Sequence, residues 1–142
     1  MTKLLIVEDQ NGPLEALEFA IRKVSPTYFS QFDYDIAKCY EDAQRLIQNN
    51  YDVVLLDHVI PIKEVGDLEE TDFDSFRNSL RQVGYSLIDE IKRKNSQTVV
   101  IGTSSLSALE LRNHPVPDYV MSKMWNESER DLDNILSQIN TR

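Results

Sequence analysis

Five polar residues of this chain each end a short apolar run, and their side chains could together bind and transfer a phosphoryl group. Glu8 and Asp9 end the first run, Asp57 ends a middle one, and Thr103 and Lys123 end the last two. Three carboxylates brought together repel one another unless one is protonated or a cation lies among them. Oxygen ligands in this number suit Mg²⁺. A divalent cation beside a carboxylate, a hydroxyl and an ammonium would bind the phosphoryl oxygens, and the remaining carboxylate could attack in line.

These side chains can meet only if the apolar runs are strands of one sheet. Strand-like runs occur at residues 3–8, 32–38, 52–57, 98–104 and 118–122, and helix-like periods at residues 11–24, 40–50, 84–95, 107–115 and 127–139. Strands that alternate with helices and are continuously apolar at the centre predict an α/β fold, a doubly wound five-stranded parallel sheet covered on both faces. Ligands of such sheets bind at the carboxyl ends of the strands, where the five polar residues would lie.

The composition limits the class of partner. The chain has 142 residues, enough for one domain with its own core, and 24 acids against 15 bases give a formal net charge of −9. This charge argues against binding to nucleic acid or to an anionic membrane, since both require a basic surface. The first apolar run is too short for a signal peptide or a membrane span, and the single Cys39 cannot form an internal disulfide. We therefore predict a cytoplasmic protein with no nucleic-acid partner and no membrane partner.

The order of these residues resembles that of the receiver domain of two-component response regulators. The matching motifs are the acid pair of IVEDQ, the aspartate of LLDHVIP, the threonine of VVIGTSS and the lysine of YVMSK. The resemblance covers nearly the whole chain, residues 1–142, as a single receiver domain interrupted by an insertion at about residues 62–83. It implies a chemotaxis-regulator-like, flavodoxin-like (βα)5 three-layer sandwich with strand order 2-1-3-4-5.

The resemblance also assigns roles to individual residues. It implies that Asp57 accepts a phosphoryl group from the phosphohistidine of a histidine kinase or phosphotransfer protein. The implied Mg²⁺ ligands are the side chains of Glu8, Asp9 and Asp57 and the backbone carbonyl of Val59. Lys123 would contact the phosphoryl oxygens and Thr103 would close on them. The protein would then be a signalling phosphoacceptor rather than an enzyme, at most catalysing its own phosphorylation and dephosphorylation.

Three positions differ from the usual pattern of that family. The family has an aromatic switch residue on the last strand with two residues before the lysine, whereas Tyr119, the candidate here, has three before Lys123. Met124 follows the lysine in place of proline. The insertion holds six acids and no base between Glu64 and Asp74. It would emerge at the edge of the site, either as a solvated loop or as a lid or docking element.

Several functions remain open at this point. The first is a stand-alone phosphoacceptor, because the chain ends at Arg142 directly after its last helix and would signal by contact with a downstream protein target or as a homodimer. The second is a degenerate receiver that only binds proteins. A phosphatase of the haloacid dehalogenase type is disfavoured, because it requires an acid two residues after its nucleophile, where Val59 stands, and the reverse order of motifs. Taken singly, the acids and Thr103 could be helix caps.

Two smaller predictions concern the neighbours of Asp57. His58 follows it on the strand, so its side chain should point away from the site and be structural. Val59 and Ser105 lie two residues past Asp57 and Thr103, at positions that flank the site in receiver domains. Because an apolar Val59 cannot orient a water molecule, we expect self-dephosphorylation to be slow.

Overall fold

Seven strands and four α-helices lie in residues 1–63, 79–104 and 110–140, the part of the chain that the computed structural model describes. The strands are β1 Thr2–Val7, β2 Phe32–Ala37, β3 Val53–Leu56, β4 Val59–Pro61, β5 Leu80–Gln82, β6 Val99–Gly102 and β7 Tyr119–Val120. The helices are α1 Asn11–Tyr28, α2 Tyr40–Leu46, α3 Leu87–Lys94 and α4 Ser128–Asn140, and a 3-10 turn at Gly84–Ser86 precedes α3. In these ranges no helix is long and apolar enough to cross a membrane.

Five of the strands form one parallel sheet in the order β2-β1-β3-β6-β7. Counted along the chain, these are the second, first, third, fourth and fifth strands of the sheet, so the predicted fold class and strand order are confirmed. The order reverses between β1 and β3, and a doubly wound sheet opens its ligand crevice at such a reversal. Val7 pairs with Leu56 at the carboxyl ends of these two strands.

The sheet is covered on both faces because successive residues of its central strands point to opposite sides. All four residues of β3 and all four of β6 are buried. Leu4 and Ile6 pack in a cluster with α1 and α4, whereas Leu5 and Val7 pack in a second cluster with α2 and α3. The predicted three layers are therefore a helix pair, the sheet and a second helix pair.

The strand β3 is followed by a second, small sheet that the sequence did not predict. Strands β4 and β5 pair antiparallel, with Val59 opposite Gln82 and Pro61 opposite Leu80. β4 ends just before the predicted insertion at about residues 62–83, and β5 lies near the end of that insertion. The acidic core of that insertion, Glu64 to Asp74, lies outside the described residues.

Part of the helix predicted at residues 107–115 lies outside the described residues, and Ser105 also lies outside them. The described part of this predicted helix is residues 110–115, of which residues 110–113 form turns and none is helical. Asn113 and Pro115 favour turns over a continued helix, since asparagine bonds to nearby backbone and proline lacks an N–H.

Candidate functional site

Three buried carboxylates meet at the carboxyl edge of the sheet. Glu8 and Asp9 follow β1, Asp57 follows β3, and one oxygen from each lies within 4.8 Å of the others. Their exposed fractions are 1%, 5% and 4%. The pairing of the strands fixes this convergence, since the Asp57 N–H donates to the Val7 carbonyl at 3.1 Å.

Lys123, which follows β7, joins two of these carboxylates. Its ammonium lies 2.7 Å from Glu8 Oε1 and 2.9 Å from Asp57 Oδ2. Burial opposes the charge on this lysine, but the carboxylates of Asp57 and Glu8 outweigh burial and raise the pKa of Lys123 above its ordinary value. The ammonium is therefore held in its charged form at the edge of the site.

One ammonium does not balance three carboxylates. Burial, followed by repulsion from Asp57, raises the pKa of Glu8 to about 8, although Lys123 acts in the opposite direction. A raised pKa means that the cluster favours an added positive charge, either a proton or a metal ion. Because the donors are all hard oxygens, the set fits a divalent cation such as Mg²⁺.

A neighbouring amide also holds the acid pair in place. The Gln10 side chain donates to Asp9 Oδ2 at 2.9 Å, and the Gln10 backbone N–H donates to Glu8 Oε2 at 3.2 Å. Gln10 immediately precedes α1, so the start of that helix orients both acids. Nothing in the sequence marked Gln10 as part of the site.

Thr103 reaches the same edge from β6. Gly102 pairs with Leu56, and the Thr103 N–H donates to the Leu56 carbonyl at 3.0 Å, so Thr103 follows its strand beside Asp57. Its hydroxyl is buried and has no hydrogen-bond partner in the described ranges. Burying a hydroxyl without a hydrogen-bond partner costs free energy, so this hydroxyl is suited to form a hydrogen bond with a ligand bound at the site.

A cleft of about 180 Å³ opens over these residues, and Val59 and Leu80 form its apolar border. The Val59 N–H points to Asp57 Oδ1 at 3.4 Å. The His58 carbonyl accepts from the Val83 N–H at 3.0 Å. Hydrogen-bonded and non-hydrogen-bonded pairs alternate along antiparallel strands, so the backbone groups of the next residue, Val59, face away from β5. The Val59 carbonyl as a metal ligand stays a prediction.

His58 lies directly behind the site and is fully buried. Its Nδ1 accepts from the Tyr85 N–H at 2.9 Å, and its ring contacts Tyr85 and His114 at centroid distances of 4.7 and 4.3 Å. Burial and the nearby His114 lower the pKa of His58 to about 4. His58 is thus packed and neutral. The sequence did not indicate the contacts of His114 or Tyr85 with His58, because loops far apart in sequence bring these rings together.

The candidate switch residue Tyr119 packs on the other face of the sheet, against the cluster formed with α1 and α4. Its neighbour Val120 is 70% exposed and borders an apolar cavity of about 410 Å³ that Tyr85 and Pro117 also line. A switching role for Tyr119 stays a prediction.

No family model matches this chain, and no curated protein matches it. Solved structures do match it. The BeF3-activated receiver domain of DrrB superposes with a TM-score of 0.64 at 19% identity, over 100% of this chain and 99% of that chain. The receiver domain of AraT, a response regulator from Geobacillus stearothermophilus, gives a TM-score of 0.67 at 17% identity, over 99% and 93%. The Mn(2+)-bound form of response regulator Rcp1 gives 0.58 at 16%, over 99% and 93%. The chain therefore has the fold of response regulator receiver domains.

Proposed function

We propose that this protein is a phosphoacceptor of the receiver type. Asp57 takes a phosphoryl group from the phosphohistidine of a histidine kinase or phosphotransfer protein, and the modified protein changes its contacts with a downstream target. The observation that carries the proposal is the position of Lys123, whose ammonium joins Asp57 to Glu8 at the edge of the sheet. A lysine held by an aspartate and a second acid, beside a hydroxyl that lacks a partner, is a set suited to phosphoryl oxygens.

In the proposed reaction, an Asp57 carboxylate oxygen attacks phosphorus. A P–O bond forms, the P–N bond of the phosphohistidine breaks, and the electron pair of that bond returns to the imidazole nitrogen. Lys123 is 23% exposed at its side chain, so its ammonium can stay within reach of the oxygens of the incoming group. The Thr103 hydroxyl, which has no partner among the described residues, then gains an acceptor.

The acid cluster would hold Mg²⁺ during this transfer. The ligands would be Glu8, Asp9, Asp57 and the backbone carbonyl of Val59. The cation would offset the charge of the cluster and of the phosphoryl oxygens. Manganese in the related Rcp1 structure supports a divalent cation in this fold. We take Mg²⁺ as the ion because small, hard cations prefer carboxylate and carbonyl oxygens.

The test is phosphorylation by acetyl phosphate with and without Mg²⁺, followed by intact mass. We expect the wild-type protein to gain one phosphoryl group only with Mg²⁺, and Asp57→Asn to gain none. Asp52→Asn is the matched control, since Asp52 lies at the opposite end of β3 and accepts from the Lys3 N–H. That variant should be modified like wild type.

Beryllofluoride binding gives a second readout for a receiver that ignores small donors. If neither acetyl phosphate nor beryllofluoride binds in the presence of Mg²⁺, the phosphoacceptor function is wrong. The degenerate receiver, which only binds proteins, then becomes the better account. If Asp57→Asn still gains a phosphoryl group or still binds beryllofluoride, a residue other than Asp57 is the acceptor.

The composition of the chain also bears on the proposed partners and cellular location. The formal net charge of −9 favours protein partners over nucleic acid or a membrane surface. The single cysteine favours the cytoplasm. We propose signalling without substrate turnover, by contact with a downstream protein or as a homodimer.

A further inference from the structure

Lys123 lies beyond the end of the strand that delivers it to the site. Strand β7 has only two residues, Tyr119–Val120. In the described part of the chain, the Met121 N–H makes the last main-chain hydrogen bond from this segment to β6, at 2.9 Å from the Gly102 carbonyl. A lysine side chain is long and flexible, so an ammonium that must stay between two carboxylates needs a backbone that is fixed by other contacts.

Two side-chain oxygens hold the backbone on either side of Lys123. The Ser122 N–H donates to Asp131 Oδ2 at 2.9 Å, and the Met124 N–H donates to Ser122 Oγ at 3.0 Å. Serine and aspartate side chains commonly accept from nearby backbone N–H groups in this way. Proline has no N–H, so the second bond requires a residue other than proline directly after the lysine.

The same segment is joined to the start of helix α4. The Met124 carbonyl accepts from the Ser128 N–H at 2.9 Å, and Asp131 lies in the first turn of that helix. Arg130 lies 3.9 Å from the other oxygen of Asp131, but the arginine side chain is 70% exposed, and an ion pair at such a position contributes little. The bond to Ser122 is therefore the main contact by which the Asp131 carboxylate connects α4 to the lysine segment.

We propose that Ser122 and Asp131 are positioning residues for Lys123. Together they fix the backbone from which the lysine ammonium reaches Asp57 and Glu8. The inference rests on the proposed function, in which this ammonium binds the phosphoryl oxygens. Loss of either hydrogen bond lets the backbone of the lysine move, whereas the acid cluster stays in place because its members follow β1 and β3.

This role has a signature in binding that general destabilisation would not produce. The Lys123 ammonium competes with a cation for the carboxylates of Glu8 and Asp57. When the lysine is held less firmly, a phosphoryl mimic should bind more weakly, because the mimic loses a well-placed ammonium. Mg²⁺ alone should not bind more weakly, because its competitor is the group that has moved. Damage to the acid cluster itself would weaken both.

The test compares Ser122→Ala and Asp131→Ala with the wild-type protein by calorimetry. In the presence of Mg²⁺, each variant should bind beryllofluoride about fivefold more weakly, the size of one ordinary hydrogen bond. Each should bind Mg²⁺ alone at least as tightly as wild type does. Ser122→Thr and Asp131→Asn should restore the affinity for beryllofluoride, because both keep an oxygen that can accept. Asparagine lacks the charge that favours an acid in the first turn of a helix, so its rescue separates the hydrogen bond from that effect.

Asp133→Ala is the matched control. Asp133 lies on the same helix as Asp131, but its Oδ1 accepts from the Tyr28 hydroxyl at 2.7 Å rather than from the lysine segment. This variant should bind Mg²⁺ and beryllofluoride as wild type does.

Acetic anhydride gives a readout that does not depend on the proposed function, because it acetylates amines in their neutral form. Burial acts to lower the pKa of Lys123, but the carboxylates of Asp57 and Glu8 outweigh burial and raise that pKa, so the held lysine should react slowly. Peptide mass mapping should show faster acetylation of Lys123 in Ser122→Ala and in Asp131→Ala than in wild type.

The outcomes separate the inference from the function on which it rests. If wild type does not bind beryllofluoride, the proposed function fails, and the acetylation rates alone decide the positioning role. If wild type binds it and the two alanine variants bind it equally well, only the positioning role is overturned. A parallel loss of affinity for Mg²⁺ and beryllofluoride, or equal acetylation of Lys123 in wild type and variants, would also overturn that role.

Discussion

Replacing Gly84 with alanine should destabilise the protein strongly, because the backbone of Gly84 lies directly against the backbone of Asp57. An added Cβ would overlap the Asp57 carbonyl oxygen and would lie 2.8 Å from the Cα of His58. Carbon atoms in contact normally lie about 3.5–4.0 Å apart, so one of the two segments must move by about 1 Å. Neither contact is with a flexible side chain that could give way.

The expected cost follows from the contacts that such a movement disturbs. Forcing an extra carbon into a packed site costs about 1–3 kcal/mol. The His58 carbonyl accepts from Val83 at 3.0 Å and from Gly84 at 2.9 Å, and each hydrogen bond contributes about 1 kcal/mol. We therefore expect Gly84→Ala to lower the free energy of unfolding by about 3–5 kcal/mol. With a urea dependence of about 1–3 kcal/mol per molar, the midpoint should fall by roughly 2 M.

Urea unfolding followed by circular dichroism measures this change, and Gly12→Ala is the control. Gly12 lies at the start of α1, and a Cβ there would meet nothing within 4 Å. Alanine also favours the helix, so this variant should be more stable by up to about 0.5 kcal/mol. A Gly84→Ala protein within about 1 kcal/mol of wild type would refute the close packing of the Gly84–Ser86 turn on Asp57.

Three further expectations concern single side chains. Cys39 is buried and burial raises the pKa of its thiol, so a thiol reagent should modify the folded protein far more slowly than the urea-unfolded chain; equal rates would contradict the burial. Burial, followed by the hydrogen bond to Asp35, raises the pKa of Tyr51 to about 12. The folded state therefore keeps this proton while the unfolded state loses it near pH 10, so stability should fall as the pH rises from about 10 to 12. Urea midpoints across that range should fall less steeply for Tyr51→Phe, and an equal slope would count against this explanation. Val59 forms an apolar border of the cleft, so Val59→Asn, which could orient a water molecule, should shorten the lifetime of the phosphorylated protein about fivefold, the size of one hydrogen bond; phosphoprotein decay by intact mass checks this, and an unchanged lifetime would rule out that role.

The sheet could be predicted from the sequence because its central strands are continuous aliphatic runs. Val53–Leu56 and Val99–Gly102 are apolar on both faces, and their alternation with helices favours a parallel sheet covered on each side. The polar residues that end these runs meet for the same reason. Their convergence follows from the parallel arrangement of the strands, and it could be predicted without knowledge of side-chain contacts.

The parts that could not be predicted depend on contacts between distant loops. Strands β4 and β5 have three residues each, too few to show a period. The contacts of His58 with Tyr85 and His114 join three loops whose sequences carry no common pattern. At Tyr119, the alternation along β7 decides which residue faces the Tyr85 side of the sheet, and a strand of two residues does not reveal that register.

The pairing of β4 with β5 brings Pro61 and Leu80 opposite each other. The chain between these two residues therefore leaves and returns at one place, beside the cleft that Val59 and Leu80 border. For such a closed segment, doubling the length costs only about 0.6 kcal/mol in loop entropy. The entropy of loop closure alone therefore permits this part of the chain to be lengthened at a small cost in stability.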